Sequence, residues 1–360
     1  MFVVFWCRYP RVRPNRASAV QGGLVRIWKF LGWAVGLMLT LGALLGVGVE
    51  FANDSPTSHL RGAIIIAASF AAYSLPAALL GLVVMSLLAR GSRGPRRWGA
   101  LAAAGACLLA VAAMSMRLGP LYFQDDGATS GRSLRVMSAN ASFGSTPAKD
   151  LMALVAQEQV DVLVIEEVTP SLLVDLDRSG ISKALTYRAG EPEGSVRGTM
   201  VFAREPLERV QKLNVTNGAW SMRLGGGEKG ITLVGVHTTP PLYGIKLWRQ
   251  DLREVAASVS QAKADGDTVL VAGDFNATID HRAFREVLDA GLIDAADACG
   301  AGWQPTWPRP GTKHLPAWAP GTVLPIDHIM VTSGAGCSGF KTLHLAESDH
   351  RGVIATFVLP

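Results

Sequence analysis

Three apolar stretches in the first third of the chain constrain its fold more than any other feature. They run near Phe30–Val49, Ala63–Ala89 and Trp98–Met116, are rich in Gly and Ala, and are almost free of charge. Each reaches the roughly 20 residues that a bilayer-crossing helix needs. Buried core helices are the competing reading, but three such runs in succession favour spans. Ser69, Ser74 and Pro76 are tolerable inside one. A cleaved signal peptide fits poorly, because the first run is too long and two more follow it. The apolar start Met1–Cys7 is too short to span.

Charge divides the chain at the same place. Residues 1–131 carry 12 Lys/Arg against 4 Asp/Glu, net +8, whereas residues 132–360 carry 22 against 25, net −3. The basic excess therefore belongs to the membrane flanks. This argues against nucleic acid as partner, since phosphate backbones are held mainly by surplus Lys/Arg. Arg8, Arg11, Arg13, Arg16, Arg26 and Lys29 precede the first run, and Arg90, Arg93, Arg96 and Arg97 follow the second. Only Arg61 lies between them, with Glu50 and Asp54. Basic loops stay cytoplasmic, so three spans place everything after about residue 117 outside. The expected layout is a cytoplasmic tail over 1–29, a transmembrane region over 30–117, a linker over 118–132 that includes much of the polar Gln124–Ser133, and a globular domain over 133–360. Cys7 and Cys107 fall in the tail and the third span. Cys299 and Cys337 fall in the outer domain, as a disulfide, chemically permitted there, or as two buried thiols.

Beyond the linker, strand and helix signals alternate. Leu134–Ser138, Val160–Ile165, Thr199–Phe202, Ile231–Val236, Thr268–Ala272, Ile326–Val331 and Val353–Val358 read as short apolar strands. Ala148–Gln159 and Trp248–Ala262 have helical spacing. Strands interleaved with helices indicate an α/β domain. Polar residues recur at the strand ends, where such folds collect catalytic groups. Asn140 ends the first strand, Glu166-Glu167 the second, and His237 a later one. Gly273-Asp274-Phe275-Asn276, Pro325-Ile326-Asp327-His328 and Glu347-Ser348-Asp349-His350 follow. Acids and histidines after buried strands suit a hard-cation site with general-base help.

Taken together and in this order, these segments resemble the endonuclease/exonuclease/phosphatase superfamily, the fold of DNase I, over nearly all of residues 133–360. The resemblance implies a four-layer α/β sandwich with two central sheets. It implies that Glu167 ligates Mg²⁺, with Mn²⁺ as a substitute, near Asn140, and that Asp349 joins the metal shell. It implies that Asp274 orients or deprotonates the attacking water and that Asn276 holds a phosphate oxygen. His350, oriented by Asp327, contacts the phosphoryl group, and His237 stabilises or protonates on the opposite side. The chemistry implied is in-line attack of water on phosphorus. Two departures stand out: Glu166 occupies a position where the family usually has Gln, and the Glu that supports the histidine equivalent to His237 is replaced by Arg197. Arg197 is a candidate phosphate contact, and Glu191 or Glu193 a candidate substitute for the missing acid. His328 is expected on the face opposite Asp327. His281, His314 and His344 match no motif and are expected at the surface, Asp280 as a helix cap, and Asp161 and Arg204 at strand ends.

The anchor suggests a substrate in the membrane, because a short tether raises the effective concentration of a lipid head group. The proline-rich Trp303–Trp318 segment is either an interfacial, substrate-gripping loop or a rigid surface loop. Three spans followed by this domain also resemble the actinomycete, VanJ-like membrane proteins associated with glycopeptide-antibiotic resistance. That resemblance implies a lipid-linked substrate such as undecaprenyl pyrophosphate. The alternatives are an extracytoplasmic nuclease or phosphodiesterase and a non-catalytic membrane module, the latter disfavoured because every core catalytic position is filled.

Overall fold

The computed structural model describes residues 16–52, 61–125, 127–128, 130–225 and 230–359. Met1–Cys7 and the basic residues Arg8, Arg11 and Arg13 of the expected tail lie outside the described residues, as does Asp54. The chain divides into two compact units, residues 1–45 with 74–112, and residues 46–73 with 113–360.

Among the described residues, three helices are long and apolar enough to cross a membrane by length and composition: Ile27–Val49, Ala71–Arg90 and Pro95–Leu118. The first lies in a longer helix, Arg16–Ala52. Inside the first unit, small residues let the helices approach. A Cβ on Gly36 would meet Met85, and one on Gly81 would meet Cys107 Sγ. Thr40 Oγ1 lies 3.3 Å from Cys107 Sγ. Close approach at Gly and polar contact between helices are how apolar helices associate in lipid. The long side chains of Leu37, Met38, Leu41, Leu44, Leu80, Val83, Leu108 and Leu109 are left exposed.

The second apolar stretch is not one helix. Helix Arg61–Ala68 ends, a 3₁₀ turn follows at Ala71–Tyr73, and a new helix runs Ser74–Arg90. Pro76 explains the break: it has no N–H for the carbonyl four residues back and its ring would collide there, so it is tolerated only in a first turn. Helix Arg61–Ala68 groups with the second unit instead, and Ile65 is buried in that unit's core.

Among the described residues, the second unit is a two-sheet sandwich of twelve strands: β1 (Arg132–Asn140), β2 (Val162–Glu166), β3 (Tyr187–Glu191), β4 (Thr199–Ala203), β5 (Leu207–Lys212), β6 (Ala219–Leu224), β7 (Ile231–His237), β8 (Thr268–Asp274), β9 (Leu292–Asp294), β10 (Asp327–Thr332), β11 (Gly336–His344) and β12 (Arg351–Leu359). One sheet has the order β11-β12-β1-β2-β4-β3, the other β5-β6-β7-β8-β10-β9. Each has one parallel pair at its centre, β1 with β2 and β7 with β8. Period-2 alternation sorts every strand. Leu134, Val136, Val162, Val164, Leu233, Leu270, Ala272, Ile329 and Val331 fill the space between the sheets. Leu163 and Ile165 face the outer layer with helix Ala148–Gln157. Val269, Val271 and Met330 face the layer with helix Ile245–Ala264. Helices outside, sheets inside, gives the four layers expected.

The expected linker is not loose. Leu121 O accepts from Gly302 N, Asp125 N donates to Ala298 O, and Gln124 bridges to Cys299. Cys299 and Cys337 form a disulfide, Cα atoms 5.1 Å apart, which closes a 38-residue separation. Cross-links of that span stabilise by about 2–4 kcal/mol, chiefly by restricting the unfolded chain. Reduction is therefore expected to lower the melting temperature of the sandwich by roughly 10 °C, read by calorimetry with and without reductant; an unchanged transition would contradict this.

Candidate active site

Because side chains alternate along a strand, residues two apart share a face. Asn140 follows Leu134 and Val136 on the inner face of β1, and Glu166 follows Val162 and Val164 on β2. His237 follows Ile231 and Leu233 on β7, Asp274 follows Leu270 and Ala272 on β8, and Asp327 precedes Ile329 and Val331 on β10. All lie at one end of the sandwich, so the two sheets bring the polar strand ends together between them. Register fixes this closely: Asn140 pairs with Glu166, His237 with Asp274, and Asp274 with Asp327. Gly273 is required here, with φ +154° and a Cβ that would collide with the Val236 carbonyl.

Asp274 sits at the centre. Its Oδ2 accepts from Asn140 Nδ2 at 3.0 Å, and its Oδ1 from the Asn276 backbone N at 2.9 Å. His350 Nε2 lies 3.8 Å from Oδ2 and His237 Nε2 3.6 Å. Burial, and then Asp327, push the Asp274 carboxyl up to about 7. Asp327 accepts from His350 Nδ1 at 2.9 Å and 3.2 Å, one distance to each oxygen. Burial alone would lower His350, but Asp327 and Asp274 overcome it and hold the imidazolium up to about 10. The ring is thus a cation with Nδ1–H on Asp327 and Nε2–H facing the centre. His237 is the opposite case: burial and the neighbouring His350 charge push it down to about 4, so it is neutral.

Glu167 sits at a left-handed φ of +59° just past β2, as do Ser142 and Phe143 past β1. Such strain in residues with side chains concentrates at functional loops. Glu167 accepts from the Phe143 backbone N at 2.7 Å, and Asn140 Nδ2 lies 3.4 Å away. Burial raises its carboxyl, and these donors partly offset the rise. Asp349 accepts from Ser142 Oγ at 2.8 Å and Trp307 Nε1 at 3.2 Å. Burial would raise it, but His350 and these two donors prevail and lower it. Ser348 ties the segment to β1, donating from Oγ to Asn140 O and accepting from His350 N. Asn276, φ +47°, donates from Nδ2 to Thr238 O.

Oxygen ligands at one site suit a hard divalent cation. Asp274, Asp327 and His350 can bring one ligand atom each within 4.8 Å of one another. A protonated His350, however, has no lone pair to give. The donor chemistry fits better on the oxygens of Glu167, Asn140 and Asp349, beside an Asp274 carboxyl that burial, and then Asp327, raise.

Several residues differ from expectation. Glu166 is fully buried between the sheets. Its Oε1 accepts from Ser138 Oγ at 2.9 Å, and burial with Asp327 raises it well above the carboxylate range. Burial thus favours its neutral form, which is close in shape and polarity to Gln. Arg197 is exposed; among the described residues only its backbone N is tied, to Ser195 Oγ. Glu191 pairs with Lys212 and Glu193 accepts from Ser195, so neither stands in for the missing acid. His281 is buried, not at the surface, because helix Arg61–Ala68 covers it. Asp280 does not cap the next helix, whose first flanking residue is His281; it pairs with Arg117. His328 faces away from Asp327, bonded to Asp294 and Ala277 O. His314 lies 3.4 Å from Asp349 Oδ2 and against Trp307, and half-buried Trp307 stacks near His350. No sequence pattern marks His314, Ser142 or Phe143, because a loop's path sets their contacts.

Three solved structures share the fold at low identity. TDP2 from D. rerio, complexed with a single-strand DNA product, matches with TM-score 0.52 and 17% identity, over 62% of this chain and 98% of that one. TDP2 from Caenorhabditis elegans matches at 0.52 and 15%, over 85% and 97%. An AP endonuclease from Archaeoglobus fulgidus matches at 0.50 and 16%, over 63% and 100%. No curated protein matches the sequence. The model of the endonuclease/exonuclease/phosphatase family matches residues 137–350, from β1 to His350. The chain belongs to the endonuclease/exonuclease/phosphatase family and is a hydrolase of phosphoester bonds.

Proposed function

We propose that the chain is a membrane-anchored, metal-dependent phosphoesterase that works outside the membrane on a lipid-linked phosphate or pyrophosphate, such as undecaprenyl pyrophosphate. The observation that carries this is the joining of a complete site to three apolar helices by a short segment. Residues 119–131 connect helix Pro95–Leu118 to β1. So brief a tether favours a substrate in the same bilayer. The disulfide fits an oxidising compartment, and the net −3 of residues 132–360 disfavours nucleic acid. A role in glycopeptide-antibiotic resistance would follow from turnover of such a lipid.

In this reading Glu167, Asn140 and Asp349 would hold Mg²⁺ or Mn²⁺, which when bound would supply Lewis-acid charge neutralisation at the phosphoryl oxygens. Asp274, near 7, is poised to take a proton from water at neutral pH. His350 donates Nε2–H to the phosphoryl group while Asp327 keeps its ring aimed. Asn276 and neutral His237 donate hydrogen bonds to the remaining oxygens, and Arg197 contacts an outer phosphate. A second reading, an extracytoplasmic nuclease, draws on the DNA product in the D. rerio TDP2 structure.

Sidedness is tested by reporter fusions. A fusion after residue 131 is expected to be active only outside and one at residue 93 only inside, from the basic residues before the first run and after the second. A cytoplasmic signal after residue 131 would overturn it.

A further inference from the structure

Two segments that flank the apolar helices are built into the sandwich beside its catalytic loop. Helix Arg61–Ala68 places Ile65, 2% exposed, in the core over β7 and β8. The last four carbonyls of a helix lack intrahelical partners. One of them, Ile65 O, lies 2.9 Å from His281 Nε2. The tautomer is settled by the other nitrogen: Thr278 N donates to His281 Nδ1 at 2.9 Å, so Nε2 carries the hydrogen and donates to Ile65 O. Ser69 Oγ lies 3.3 Å from the same Nε2. Burial lowers His281 to about 4, which keeps it neutral in this role.

The second segment is the last turn of helix Pro95–Leu118. Arg117 reaches Asp280 Oδ1 at 2.9 Å and donates to Ile279 O at 3.2 Å. The Asp280 side chain is wholly buried. Arg285 donates to the Ile279 and Asp280 carbonyls from within the sandwich. Residues 278–281 are thus held from two sides. They follow Asp274, Phe275 and Asn276 with only Ala277 between, and the left-handed backbone of Asn276 is a conformation that persists where its surroundings over-determine it. Trp248, whose ring meets His281 edge-on, donates to Phe275 O at 3.3 Å and braces the same loop.

We propose that Arg117 and the Ile65–Ser69 segment are positioning groups for the Asp274–Asn276 loop, so that the membrane-flanking segments set the turnover rate of the site. Neither touches the reacting atoms; they act through residues 278–281. The consequence is that the anchor does more than hold the enzyme near lipid.

The test uses full-length enzyme in detergent micelles with a soluble phosphodiester, bis(4-nitrophenyl) phosphate, so that access to lipid plays no part and the lipid reading is not at stake. Arg117→Gln and Asp280→Asn are each expected to lower kcat about tenfold, with KM unchanged, because a small misplacement of a catalytic group acts on the chemical step. The double variant is expected to be no slower than the slower single one, as for two groups acting as a pair. Arg117→Lys is expected to fall between Arg117→Gln and the native enzyme. Hydrogen exchange at residues 276–281 is expected to speed up in the same order. A folded Arg117→Gln enzyme with native kcat and native exchange would overturn the proposal, even if its melting temperature fell. Should Arg117→Gln not fold, Arg117→Lys decides by the same two readouts, and native values of both would overturn it.

Discussion

Replacing His350 with Ala is expected to slow single-turnover hydrolysis by about 10³-fold, equivalent to about 4 kcal/mol of barrier. The loss is large because His350 is a buried cation facing Asp274, charged by Asp327 and Asp274 against the pull of burial. Asp327→Asn is expected to cost less, since an amide still meets Nδ1 but no longer favours the charged ring. The double variant is expected to be about as slow as His350→Ala alone, because the Asp acts through the His. His328→Ala, next in sequence but bonded to Asp294 and Ala277 O on the far side of the strand, is expected to reduce stability and leave the rate per folded molecule nearly native. Four folded variants and single-turnover kinetics check this. Additive losses at Asp327 and His350 would contradict the pairing, and a larger catalytic loss at His328 would contradict the site.

Chelation is expected to abolish hydrolysis, and Glu167→Gln to shift the Mg²⁺ titration midpoint upward by at least about tenfold. Glu167 is held by the Phe143 backbone N–H with Asn140 alongside, while burial raises its carboxyl. A bound cation would reverse that rise, and neutral Gln removes the charge that attracts the cation. At saturating Mg²⁺ the variant is expected to recover most of its rate. The mirrored change, Glu166→Gln, is expected to leave the titration midpoint near native, because burial already favours the neutral form of Glu166, bonded to Ser138. An unchanged midpoint in Glu167→Gln would remove Glu167 from the ligand set.

The sequence made the middle of each sheet legible and its margins illegible. β1, β2, β4, β7, β8, β10 and β12 are apolar runs buried on both faces, and the motif residues end or follow them. β5 is exposed along almost its whole length, and β3 and β11 are edge strands with few buried positions. Nothing apolar marks them, and neighbours rather than propensity hold them in the sheet. The same division runs through the site. Strand alternation carries Asn140, His237, Asp274 and Asp327 to one face, and His350 stands just before β12. His314 and Trp307 reach Asp349 only through the path of the loop between β9 and β10. His281 read as a surface residue because its cover comes from helix Arg61–Ala68, more than 200 positions away in sequence. That helix was in turn hidden inside an apolar stretch that Pro76 divides.

The central claim, hydrolysis of a lipid-linked phosphate by this site, is tested most directly by phosphate release from purified full-length enzyme with Mg²⁺. Polyprenyl pyrophosphate and a phosphoinositide would be compared at equal phosphate concentration, with phosphocholine release from sphingomyelin and strand cleavage of DNA read in parallel. The account predicts fastest release of inorganic phosphate from polyprenyl pyrophosphate, lost on chelation and in His350→Ala. Cleavage of DNA with no release from any lipid would contradict it.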